Sequence, residues 1–284
     1  MSAEESKEHP KSELPPEYSP KDTFVAEIAA PESRLTEFSI DFKSDTPGNI
    51  RAVADILEKH RVNILSGSHE PARWSFFADL SQSDESTSQL IQELSNDSHI
   101  KKIQTQDGHN GVIVDALHHP LMMGKNRAIL FRLDTIGSVF SRPRQIFGAE
   151  GQMGKVLLHQ MGRAGGQSSI KAFLESMGKD NIREQLSNIM NMYTAGGWGI
   201  FKLTGADFDR GVAVVQAFEN FECMTHQGEG GEPYSQYVRG DLAGLFSEIF
   251  HRKVDAIETQ CVVQGAPFCR FEIAPPTKDT TQSS

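Results

Sequence analysis

The chain has 284 residues, a formal net charge of −10 and a pI near 5.5. That length accommodates two ordinary domains, each able to bury a core, and the acidic balance argues against a broad nucleic-acid face, which needs clustered Lys and Arg. No run of about 18 apolar residues predicts a membrane span, and three cysteines, an odd number, argue against a secreted disulfide framework. A soluble cytoplasmic protein is expected, with no direct nucleic-acid or membrane partner.

Residues 1–22 are acidic and proline-rich and are expected to form a disordered acidic tail. The first organised segment, "RLTEFSIDFKSD", alternates with Leu35, Phe38, Ile40 and Phe42, a strand of period two. It ends at "DTPG", after which Ile50, Val53, Ile56 and Leu57 form a helical stripe running to Lys59. "VNILSGSH" and "RWSFFADLS" follow as strands about the turn "HEPA", then "STSQLIQELSND" as a second helix and "IKKIQTQ" as a closing strand. The order β-α-β-β-α-β defines a first domain over residues 23–110.

The stretch "DTPGNIRAVADILEKHRVNIL" resembles the first half of an ACT domain, with the likeness running from about residue 33 to 107. It implies a ferredoxin-like sandwich that pairs edge to edge and binds an amino acid or another small ligand near Asp45, Gly48, Asn63 and Ile64. The same residues have plain structural readings: Asp45 caps the helix, Pro47 starts it and Ile64 joins the core.

The second half places helices before strands. "NRAILFRLDTIGSVFSRPRQIFG", "QMGKVLLHQMGRAGGQSSIKAFLESMG" and "NIREQLSNIMNMY" carry helical stripes; "WGIFKLTGAD" and "GVAVVQAFENFEC" then turn to strand patterns. "YSQYVRGDLAGLFSEIF" is a further helix, and "VDAIETQCVVQG" with "PFCRFEIA" makes a closing hairpin. The fold class is α+β, with a second domain over residues 111–274, helices against an antiparallel sheet, and a disordered tail over 275–284.

Few catalytic motifs are offered. The glycine-rich "GAEGQMGKVLLHQMGRAGG" lacks Walker spacing, and Gly162 and Gly166, one turn apart, invite the close approach of another backbone or of a ligand. His118 and His119 before Pro120 read as an ordinary loop pair. Counting outward from Gly265 sets Cys261 opposite Cys269, at a Cβ separation of about 4.5–5.5 Å that suits a shared zinc, a disulfide or an unliganded buried pair. "FECMTH" adds Glu222, Cys223 and His226 as further donors.

"NFEC", "YVRGDLAGLFSEIF" and "ETQCVVQGAPFCRFEI" resemble the 4-vinyl reductase-type domain, over roughly residues 120–274. The resemblance implies a dimer, an apolar pocket for a small hydrophobic or aromatic ligand and, in sensor members, a structural zinc. The sensors' Glu falls on Glu222, their last two Cys on Cys261 and Cys269, and their other Cys on Ser235, a poor zinc ligand. Cys223 is therefore expected to join Cys261 and Cys269, with His226 or Glu222 fourth; strand alternation would turn Glu222 and Cys223 to opposite faces unless the strand ends there.

Leu157, Met161, Met190, Met192, Tyr193 and Trp198 are candidate pocket lining, or plain core. The resulting expectation is a ligand-responsive sensor, a homodimer whose output passes to a protein partner. The rivals are an enzyme or accessory subunit acting on a tetrapyrrole-like or aromatic substrate, and a dimeric assembly scaffold.

Overall fold

The structure, a computed structural model, describes residues 18–147, 152–177, 182–228 and 230–276. The greater parts of both expected tails, residues 1–17 and 277–284, lie outside the described residues. The strands are β1 (Ala26–Ile28), β2 (Leu35–Phe42), β3 (Asn63–Glu70), β4 (Arg73–Asp79), β5 (Ile100–Asp107), β6 (Val112–Val114), β7 (Met122–Met123), β8 (Asn126–Arg127), β9 (Ile200–Asp207), β10 (Val212–Phe218), β11 (Asp255–Gln260) and β12 (Cys269–Ala274). The helices are α1 (Gly48–Lys59), α2 (Thr87–Ser95), α3 (Leu133–Ile146), α4 (Gln152–Met177), α5 (Ile182–Ala195), α6 (Phe221–Met224) and α7 (Tyr237–Ile249). The chain divides into two compact units, residues 1–121 and 122–284, and the fold class is α+β.

In the first unit the sheet order is β3-β4-β2-β5 with every neighbour antiparallel, the ferredoxin-like βαββαβ arrangement. Period two divides β2: Phe38 and Ile40 face one side, where they pack with Val53 and Leu57 of α1 and Leu90 and Leu94 of α2. Ser86 closes a capping box on α2 with Gln89, each accepting from the other's backbone N–H. Asp45 makes no cap on α1. There Thr46 Oγ1 donates to Asn49 Oδ1 at 2.7 Å, and Asn49 Nδ2 donates to the Ser44 carbonyl at 2.6 Å.

The sheet's other face is covered by elements that sequence periodicity does not predict. β1 pairs with β6 from Ala26↔Val114 to Ile28↔Val112, and Ile113 packs with Leu35 and Phe77. This cover carries the first unit on to Leu121, past the boundary expected after residue 110. Three-residue strands hold too few positions to show a period, and their pairing bridges most of the unit's length.

The second unit has a four-stranded antiparallel sheet in the order β11-β12-β10-β9. Its core gathers Val215 and Phe271 from the sheet, Leu186 and Met190 from α5, and Leu242 and Phe246 from α7. Helices α4 and α7 meet through glycine. A Cβ on Gly162 or Gly166 would overlap the carbonyl oxygens of Tyr237 and Asp241, and one on Gly240 or Gly244 would overlap those of His159 and Arg163. Backbone lies on backbone at four positions, so Gly162 and Gly166 serve helix packing rather than the ligand contact considered for them.

Candidate functional site

Strand β10 stops before the "FEC" stretch that periodicity assigns to it. Glu219 takes a left-handed φ of 51°, and the Asn220 side chain then accepts from the Glu222 N–H at 3.3 Å, starting the short helix α6. A helical turn therefore carries both Glu222 and Cys223, and the opposite-face rule for strands does not apply to them.

Cys223 turns into the core and meets the closing hairpin. β11 ends at Gln260, a 3-10 turn spans Val262–Gln264, and Gly265 takes φ 87°, where a side chain would be strained. The turn returns the chain so that Cys269, at the start of β12, faces Cys261. Sγ of Cys223 lies 3.7 Å from Sγ of Cys261, which lies 4.0 Å from Sγ of Cys269. Zinc–sulfur bonds of about 2.3 Å in a tetrahedron require an edge of about 3.8 Å, so the spacing fits a shared ion.

The fourth donor is one that the sequence reading does not include. Glu258 of β11 is buried with the three thiols, and the four ligand atoms lie within 4.8 Å of one another. Ser235, at the position where the resemblance expects a cysteine, orients it: the Ser235 N–H donates to Glu258 Oε2 at 2.8 Å and its hydroxyl to Oε1 at 2.9 Å. Ser235 Oγ is also 3.1 Å from Cys223 Sγ and accepts from Asn220 Nδ2 at 2.7 Å. A serine here positions two donors instead of supplying one.

The electrostatics of the cluster follow from crowding acids in a dry place. Burial pushes Glu258 up to about 8, with the charge of Cys261 adding to the rise. Cys261 is the thiol held down, first by the hydrogen bond from Cys223 and then by that from Cys269. Cys223 is correspondingly pushed up by its bond to Cys261. A divalent cation relieves this competition by stabilising the ionised form of every donor together.

Glu222 and His226 are not in the group. Glu222 caps α7: its Oε1 accepts from the N–H groups of Gln236 at 2.9 Å and Tyr237 at 3.0 Å, its Oε2 from Val238 at 2.9 Å, and Arg144 donates to Oε1 at 2.6 Å. A buried carboxylate at a helix N-terminus with four donors is already fully occupied. His226 Nε2 is 2.9 Å from Tyr234 Oη, and Tyr234 carries the Arg144 guanidinium 4.0 Å from its ring centroid.

The expected ligand contacts separate. Met190 and Tyr193 are core, Met161 and Leu157 are 43% and 42% exposed on α4, and Trp198 is half-buried at the edge of an aromatic group. Its ring centroid lies 5.1 Å from Phe221, 5.3 Å from Tyr193 and 5.9 Å from Tyr237. A surface cleft of about 490 Å³ runs beside Glu258, but Lys155, His159, Gln236, Arg239 and Asp255 make its wall polar. In the first unit Asp45, Gly48, Asn63 and Ile64 are all exposed, Ile64 by 37% rather than in the core.

Comparison with known proteins finds a match to the 4-vinyl reductase domain over residues 213–275. An uncharacterised protein of Methanocaldococcus jannaschii is 34% identical over 55 residues, 19% of this chain and 34% of that protein, so the chain spans about a third of the curated relative it matches. Among solved structures, the phenol-responsive sensory domain of the transcription activator PoxR with phenol is similar at 18% identity and TM-score 0.47, over 54% of this chain and 79% of that one. A vinyl-4-reductase family protein from Methanocaldococcus jannaschii is similar at 16% identity and TM-score 0.36, over 52% and 84%. At these scores neither likeness bears on the chemistry of the site. Cys223, Glu258, Cys261 and Cys269 all lie within residues 213–275, the stretch that matches the 4-vinyl reductase domain.

Proposed function

We propose that the chain is a ligand-responsive regulatory protein whose 4-vinyl reductase-type unit is held by a structural zinc and binds a small hydrophobic or aromatic molecule. The observation that carries this reading is the buried group of three thiols and a carboxylate inside the stretch that matches that domain. Cys223, Cys261, Cys269 and Glu258 hold the ion. Four protein donors close the shell, so the zinc ties α6 to the β11–β12 hairpin and leaves no position for a substrate.

The ligand enters at the aromatic group under Trp198. Phe140, Phe221 and Tyr237 stand around that ring, with Phe140 and Tyr237 stacked at 4.5 Å, and offset or edge contacts of this kind suit an aromatic guest. The functional unit is a homodimer. Met153, Val156, Leu157 and Met161 form one exposed apolar face of α4, between 42% and 62% exposed, whose spacing suits a second copy. The first unit is an ACT-like module that pairs along the open β3 edge and takes an amino acid near Asp45, Gly48, Asn63 and Ile64. The ligand acts by binding one arrangement of the dimer better than another, and the response passes to a protein partner in the cytoplasm.

Native mass spectrometry of the purified chain, with metal analysis, tests this. One zinc per chain that is lost in Cys261→Ser, and quenching of Trp198 fluorescence by phenol in a Trp74→Phe background, are expected. A folded, metal-free protein would remove the staple, and a co-purified flavin or tetrapyrrole would replace the sensor with an enzyme.

A further inference from the structure

The first unit holds a second buried polar cluster, on the sheet face turned away from α1 and α2. Glu37 and Ser39 of β2 share this face with Ser75 of β4, and Ser39 is the direct register partner of Ser75. The segment after β6 crosses over them. Asp115 Oδ1 accepts from the N–H groups of Leu117 at 3.1 Å and His118 at 3.0 Å, which fixes its carboxylate. His118 Nδ1 lies 2.9 Å from Asp115 Oδ1 and 3.2 Å from Glu37 Oε1, and Nε2 lies 2.9 Å from Ser75 Oγ and 3.1 Å from Ser39 Oγ.

One atom in this group is unsatisfied. The Glu37 side chain is 0% exposed; its Oε2 accepts from the Ala116 N–H at 3.2 Å, but its Oε1 accepts no hydrogen bond. A buried carboxylate oxygen without a donor is costly, and a second carboxylate beside it raises the cost. His118 and Asp115 are 25% and 15% exposed, so the group opens to water on one side. The three donor atoms lie within 4.8 Å of one another.

We propose that Glu37, Asp115 and His118 form a second metal site that takes a divalent first-row transition ion through one imidazole nitrogen and two carboxylate oxygens. The ion fills the vacant side of Glu37 Oε1 and offsets both carboxylates. His118 then binds through Nδ1 and donates Nε2–H to Ser75 and Ser39, the outer hydrogen bond that metal-bound histidines use to fix their tautomer. One nitrogen and two oxygens suit zinc-, iron- or manganese-class ions, unlike the sulfur-rich set of the second unit. Three protein donors leave positions for water, and the ion ties β2 to the segment that covers it. None of this depends on the thiol cluster, which lies in the other unit.

Cobalt(II) separates the two sites. Full-length protein stripped by a chelator and titrated with cobalt is expected to bind two ions per chain by native mass spectrometry, only one of which brings thiolate-to-cobalt charge-transfer absorption. Glu37→Gln and His118→Ala each bind one ion fewer and keep that absorption, whereas Ser75→Ala weakens only the absorption-silent step, by about 10–100-fold. Where His118→Ala fails to fold, Glu37→Gln, which keeps the acceptor for Ala116, gives the same reading. Wild-type protein that binds only the thiolate-linked ion, or a Glu37→Gln chain that still binds two, would overturn the site and leave His118 as an imidazolium between two carboxylates. An ion that brings no charge-transfer absorption but disappears in Glu37→Gln would sustain this site and break the thiol reading.

Discussion

The donors around Ser235 and those around His118 both sit inside small antiparallel sheets, yet they are assembled in opposite ways. In the second unit, four donors come from α6, β11, the turn after it and β12, and all four are at most 5% exposed. In the first unit, Glu37 comes from a strand, Asp115 and His118 from a single turn, and one side stays open. Distant segments converging on a dry centre make a fastener; a strand and a local turn make a rim. The two units should therefore fail differently, and each contains one tryptophan, Trp74 in the first and Trp198 in the second, to report on it.

The harshest way to separate them is Gly240→Leu. It drives a side chain into the α4 backbone and is expected to cost more than the ~3 kcal/mol upper range of ordinary overpacking. The Trp198 unfolding transition should disappear while the Trp74 transition stays. Equal loss of both would show that the units fold as one. Glu222→Ala comes next: removing one partner of a buried ion pair costs about 3–5 kcal/mol. Metal content measured on the same sample should be unchanged, since Glu222 caps α7 and does not join the thiols.

A pH series sharpens the comparison further. Asp241, fully buried on α7, accepts from the Tyr193 hydroxyl, and burial pushes its carboxyl from 3.8 to about 7. The folded chain thus holds this proton more tightly than the unfolded one. Its contribution is complete below about pH 4 and is lost as pH rises toward 7, at about 1.4 kcal/mol per pH unit. Asp241→Asn should flatten that slope in the Trp198 transition, and an unchanged slope would assign it to other groups. The smallest effect belongs to Ser86→Ala, which removes the α2 cap at about 1 kcal/mol; denaturant melts should register it through Trp74 alone.

The sequence is most legible where a period repeats. β2, α1 and α2 declare themselves through Phe38, Ile40, Val53, Leu57, Leu90 and Leu94, which meet in one core. β1 and β6 do not, because their register comes from each other across the unit. At the thiol cluster, sequence reasoning reaches Cys223, Cys261 and Cys269 but not Glu258, although it stands three residues before Cys261 and shares the buried face of β11 with Ala256. A Glu-x-x-Cys spacing at a strand end is the available signal. Asn220, a good N-cap before Phe221 and Glu222, likewise suffices to end β10 on paper. His118 escapes notice because adjacent histidines rarely share a metal, whereas its partner is Asp115, three residues back.

The glycine contact between α4 and α7 has a mechanical consequence. With no side chains to shear between them, the helices cannot slide or part without losing contact along the whole seam. At about 1.5 Å per residue, α4's 26 residues span about 39 Å and α7's 13 about half of that. The shorter helix is thus clamped to part of a longer beam, and any displacement at the closing hairpin reaches the far end of α4 as rotation of a stiff lever.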